Sequence, residues 1–82
     1  MRIVVESVKG TCGAGHYAGQ VFEIEGGLPQ GFCPYAYVAL YPNLRTLQFG
    51  GDLPWEKKGT ARVACPDPDN PVVFRIEREQ QG

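Results

Sequence analysis

Three cysteines, Cys12, Cys33 and Cys65, and one histidine, His16, are the only thiol and imidazole groups in this chain of 82 residues. Three thiolates and an imidazole make up a standard closed zinc set, and iron accepts the same soft donors. An odd number of cysteines also excludes a fully paired disulfide framework within one chain. The first expectation is therefore a metal site, on zinc or iron, built from Cys12, His16, Cys33 and Cys65. If three or four of them close around one ion, the role is structural, whereas chemistry requires an open position. The spacing itself is a weak signal. Cys12 and His16 are separated by three residues, and there is no Cys-x2-Cys knuckle.

Two other readings of the same residues stand beside it. Cys33 precedes Pro34, which suits the first position of a helix, so Cys33 is the expected N-cap. There the unpaired backbone N–H groups and the helix dipole favour a thiolate, which makes Cys33 a candidate nucleophile for redox or sulfur-handling chemistry. Cys12 or Cys65 would serve as resolving thiol and His16 as base. The plainer reading is that the cysteines are buried and inert. Cys65 continues the inward parity of Ala61 and Val63, and cysteine is among the most buried residue types. None of these readings specifies a reaction, so enzyme activity is not predicted.

The elements that must position these residues follow from pattern. Ile3–Val8 is rich in β-branched residues and reads as a strand. A loop with Gly10, Gly13, Gly15 and Gly19 follows, carrying Cys12 and His16. Val21–Glu25 alternates, with Phe22 and Ile24 inward. From Pro34, the residues Ala36, Leu40, Leu44 and Leu47 recur at helical spacing, and Gly50-Gly51 supplies the stop. Pro42 removes a hydrogen bond and crowds the carbonyl of residue 38, so a kink or two short helices are expected. Strands at Ala61–Cys65 and Val72–Glu77 complete the chain, the last with Val72, Phe74 and Ile76 on one face. The polar end, Glu79-Gln80-Gln81-Gly82, is expected to fray.

The predicted architecture is a single α+β domain over residues 1–82, a small, mostly antiparallel sheet of about four strands with the helical segment packed on one face. In such a layout an up-down hairpin separates Cys12 from Cys33, unless the Gly26–Gly31 loop climbs back along the sheet.

Composition narrows the partners. The net charge of −1, from 8 basic and 9 acidic residues, gives no electrostatic footprint for nucleic acid. No apolar run approaches a membrane span, and Met1-Arg2-Ile3-Val4-Val5-Glu6 lacks the apolar stretch of a signal peptide. A reduced, cytoplasmic setting is the expectation. Tyr35, Tyr37, Tyr41 and Trp55 exceed what a core this small absorbs, which predicts an aromatic interaction surface. The simplest form is a two-fold homo-oligomer that buries Trp55 or the Tyr37–Tyr41 edge. The alternatives are a non-catalytic accessory module, or Trp55 folding back to close the core.

Other patterns carry less. Gly13-x-Gly15 with Gly19 has the wrong spacing for a phosphate loop and leads into a strand. Asp67-x-Asp69-Asn70 is interrupted by prolines and reads as a β-turn rather than a calcium loop. Glu23 and Glu25 share a solvent-facing side and read as solubilising.

Taken in order, Cys12-x2-Gly15-His16-x2-Gly19, Gly31-Phe32-Cys33-Pro34-Tyr35-Ala36, Phe49-Gly50-Gly51-x2-Pro54-Trp55 and Cys65-Pro66-Asp67 resemble the motifs of a family of small prokaryotic proteins. The resemblance spans nearly the whole chain. That family has no assigned activity, so the resemblance implies no substrate. It implies that Cys12, His16, Cys33 and Cys65 share a site. The chain departs from many relatives at Gln20, where they carry an acidic residue.

Overall fold

A computed structural model describes residues 1–78; the expected fraying of residues 79–82 lies outside them. The elements run β1 (Arg2–Val8), β2 (Val21–Glu23), α1 (Pro34–Gln48), β3 (Thr60–Ala64) and β4 (Val72–Glu77). The four strands form one antiparallel sheet in the order β2-β1-β4-β3, with the helix on one face, as the α+β pattern requires. The chain's first and last strands are thus its two central ones.

The sheet's covered face follows from alternation. Ile3 and Val5 on β1, Phe22 on β2, Ala61 on β3 and Val72, Phe74 and Ile76 on β4 are all buried. Ala36, Leu40, Leu44 and Leu47 of α1 meet them as a single stripe, and Ile24 and Phe32 close the side from the connecting loop. Each large side chain buried in this way contributes about 1.5–3 kcal/mol relative to exposure. β1 carries an irregularity between Val5 and Ser7 that shifts its register against β4.

The helix ends confirm the sequence expectation. Cys33 is the N-cap with extended backbone (φ −65°, ψ 122°), and Pro34 opens the first turn. At the other end Gly50, at φ 86°, accepts the left-handed conformation that lets its N–H reach the Leu47 carbonyl while the Gly51 N–H reaches Thr46. This pair of bonds is the Schellman arrangement. Arg78 adds hydrogen bonds to the Leu47 and Gly51 carbonyls and an ion pair with Asp52. Between the ends, α1 runs through Pro42 as one helix rather than two. Pro42 and Val38 lie on the exposed side, where water can satisfy the carbonyl that proline leaves without a donor.

The opposite sheet face is charged. Arg75 donates through Nε to Glu77 at 2.7 Å and through Nη1 to Glu6 at 3.2 Å, while Arg2 reaches Glu77 at 3.3 Å. The hydrogen bond from Arg75, more than that from Arg2, holds the Glu77 carboxyl below the usual glutamate range against the opposing effect of burial. A group whose folded pKa is depressed stabilises the fold fully above its unfolded value, roughly pH 4.3, and loses that contribution as pH falls through the lower folded value. Glu77→Gln should therefore cost under about 1 kcal/mol at pH 7 and progressively less below pH 4. Urea unfolding of both proteins across pH 3–7 checks this, and parallel curves would contradict it.

Trp55 does not close the core. It is 73% exposed, on a loop held by the Asp52 carboxylate, which accepts the Gly59 N–H, and by Glu56, which accepts the Arg62 N–H. Tyr37 and Tyr41 lie against each other at the helix edge, with ring centroids 5.4 Å apart and planes inclined at 51°.

Candidate functional site

The loop after β1 is tied at both ends. Its last turn pairs back on the strand, the Gly19 N–H with the Val5 carbonyl and the Val5 N–H with that of Gln20, both at 2.8 Å. Its first turn is tied to the hairpin between β3 and β4, where the Thr11 N–H donates to Asn70 Oδ1 at 3.1 Å. Gly10 stands at φ 77°, and a Cβ there would run into the Asn70 side chain. This position therefore requires glycine twice over. The contact brings the Cys12 loop against the turn that carries Cys65.

His16 sits beneath this loop and is the one buried polar residue of the described chain. Its Nε2 accepts the Cys33 backbone N–H at 3.2 Å, so Nδ1 carries the proton and donates to Gln20 Oε1 at 3.0 Å. The Tyr17 N–H donates to the same oxygen at 3.4 Å, which is the amide orientation that bond needs. Phe22, Phe32 and Phe74 enclose the ring, with centroids 5.3–5.6 Å away. Both imidazole nitrogens are used, and the ring is held on three sides.

The bond to Cys33 also settles the connectivity question. From the end of β2 the Gly26–Gly31 segment does climb back, and it delivers the helix N-terminus beside the β1 loop. There Cys33, half-buried, caps the helix, but its side chain makes no capping hydrogen bond. Cys65 lies just past the end of β3. Its N–H reaches the Val72 carbonyl at 2.9 Å, and its Sγ accepts the Val72 N–H at 3.2 Å. The same sulfur lies 3.9 Å from the Asn70 carbonyl, to which the thiol donates.

These segments line an open cavity of about 560 Å³, bordered by thirteen residues that include Cys12, His16, Cys33 and Cys65. The chain's entire complement of thiol and imidazole groups thus faces one space. Ala36, Val72 and Phe74 form its floor, and Tyr35, Pro66, Asp67 and Asn70 its rim. All three cysteines are free and half-buried. Among the described residues no group of three or more His, Cys, Asp or Glu is gathered closely enough to hold an ion. The thiols share the cavity without meeting at one point.

Several residues of the site are not evident from the sequence. Gln20, noticed only as a departure from a resembling family, fixes the histidine tautomer; its place four residues after His16 is the one local signal. Asn70, read as part of a turn, links the two loops. Phe22 and Phe74 are assignable to the core by alternation, but the burial of Phe32 and the enclosure of His16 by all three rings are not. No protein-family model matches the chain, and no curated protein or solved structure shows significant similarity to it.

Proposed function

We propose that this chain is a cytoplasmic metal-binding protein that holds one thiophilic ion, zinc or iron, in this cavity. The observation that carries the proposal is the shared cavity itself: three cysteines from three separate segments, together with the lone histidine, line it. Binding an ion requires the three sulfurs to move together from the positions they hold here. Two of the three already have backbone help. Cys33 lies at the helix start, where N–H groups lack intrahelical partners, and Cys65 receives the Val72 N–H. Loading reduced protein with Zn²⁺ or Fe²⁺, desalting, and measuring metal and reactive thiols should give one ion per chain and three protected thiols. No retained metal and three freely reacting thiols would refute it.

A second reading, thiol chemistry at Cys33, is favoured by one observation: the side chain stands at the helix N-terminus with no capping bond of its own. On this reading iodoacetamide at pH 7 modifies Cys33 first and faster than a model thiol of pKa ~8.5. Mass spectrometry of the time course checks the order. Equal labelling of Cys12, Cys33 and Cys65 would remove the activated nucleophile.

We further propose a homo-oligomer formed through the exposed aromatic residues. Trp55 at 73% and Tyr35 at 77% exposure support an interface, since such side chains are enriched there. Light scattering at micromolar concentration should exceed the monomer mass of 9.0 kDa. The monomer mass would rule out a stable assembly at that concentration.

A further inference from the structure

We propose that the groove along α1 receives a second copy of this chain, which enters it with the acidic, proline-rich turn between β3 and β4. This inference rests on the homo-oligomer reading above and names the two surfaces that meet. The groove has a volume of about 510 Å³ and is lined by Tyr37, Val38, Tyr41 and Pro42, with Gly26-Gly27 beside them and Arg45 and Gln48 completing it. Val38 is 74% exposed although it is branched and apolar, and Tyr41 and Pro42 are open to solvent with it. Single exposed apolar side chains need no explanation, but a contiguous set along a groove marks an interaction site.

Charge decides what fits. Among the described residues, Arg45 is the only charged one that lines the groove. Its guanidinium lies over the Phe49 ring, 4.4 Å from the centroid, and donates to Gln48 Oε1 at 2.8 Å. Every other arginine pairs with a carboxylate: Arg2 with Glu77, Arg62 with Glu56, Arg75 with Glu6 and Glu77, and Arg78 with Asp52. Arg45 is thus the one arginine that an incoming carboxylate meets without displacing another.

The turn supplies the complement. Pro66, Asp67, Pro68 and Asp69 are all exposed, and no cation stands among them. Asp67 Oδ1 is used inside the turn, where it accepts the N–H groups of Asp69 and Asn70 at 3.0 and 3.1 Å. Asn70 Oδ1 accepts the Thr11 N–H at 3.1 Å and ties the turn to the body of the protein. The Asp69 carboxylate takes no part in these bonds and is left for Arg45. Proline rings, with φ fixed, pack on tyrosine faces at small entropic cost, which is how aromatic grooves take proline-rich segments. This turn is already held in shape, so docking orders little that was free. Trp55, the other large side chain on an exposed loop, is followed by Lys57 and Lys58, which Arg45 would repel.

A charge exchange, read by sedimentation at micromolar concentration, tests the inference. Arg45 and Asp69 are both exposed, and circular dichroism verifies that their variants fold. Arg45→Glu and Asp69→Lys should each weaken assembly at least about tenfold, because the attraction between groove and turn is lost or reversed. Each variant alone should then sediment near the monomer mass of 9.0 kDa. Mixed in equal amounts the two should reassemble, since every groove then finds the opposite charge at position 69 of the other variant. Either variant assembling alone as the native chain does, or a mixture that stays monomeric, would overturn the docking while leaving a homo-oligomer of another kind. Assembly lost in Trp55→Ala but kept in both charge variants would do the same. A native chain that sediments as a monomer would overturn the homo-oligomer reading, and this inference with it.

Discussion

Phe74→Ala is expected to cost about 3–5 kcal/mol, the range for removing a fully buried phenyl ring. Phe74 is 1% exposed on a central strand and packs against Phe32 and His16 with ring centroids 5.1 and 5.6 Å away. Two layers meet at this ring, the sheet and the loop that seats the histidine, so the void it leaves cannot be filled by shifting one element. Marginal stability is the rule for folded domains, and small ones have little reserve. The substitution should lower the melting temperature by more than about 10 °C or leave the chain unfolded. Urea unfolding followed by far-ultraviolet circular dichroism measures it; a loss below about 1 kcal/mol would mean that the aromatic box repacks around the gap.

Cys33→Ser should separate the site from the fold. Serine is a favoured N-cap because its hydroxyl accepts an N–H of the first turn, which the Cys33 side chain does not do. The variant should therefore fold at least as stably as the native chain. Replacing even a supporting group beside a metal ligand commonly costs 10–100-fold in affinity, so removing a thiolate itself should weaken binding by more than about 100-fold. Competition against a chromophoric chelator reads the affinity, and thermal unfolding of the metal-free proteins reads the stability. Unchanged affinity would remove Cys33 from the ligand set. Phe74→Ala, by contrast, should impair stability and binding together, because it removes a wall that the cavity and the core share.

Much of this architecture was legible because its signals are local. Alternation placed Phe22 and the Val72, Phe74, Ile76 row on the covered face, and all four are buried. The Cys33-Pro34 pair located the helix start, and Gly50-Gly51 its end. Pro42 misled in part. The option of two helices considered the lost hydrogen bond but not the side of the helix on which it was lost, and an exposed carbonyl tolerates that loss. Trp55 allowed two outcomes, and only packing decided between them: the helix stripe is already covered by sheet residues, which leaves the indole outside.

The four candidate ligands mark the boundary more sharply. Residue type and position at element ends nominated Cys12, His16, Cys33 and Cys65 from the chain alone, since local rules determine where a strand stops and a helix begins. Their meeting in one cavity depended on the climb of the Gly26–Gly31 segment and on the Gly10–Asn70 contact, which spans sixty residues of sequence. The state of His16 depended on tertiary structure entirely. Nothing near it in sequence, beyond Gln20, announces that its Nε2 accepts the Cys33 amide and that three phenyl rings enclose it. Hydrogen bonds and ring contacts between distant segments form only once the chain has folded, and they alone determine which donors remain available for an ion.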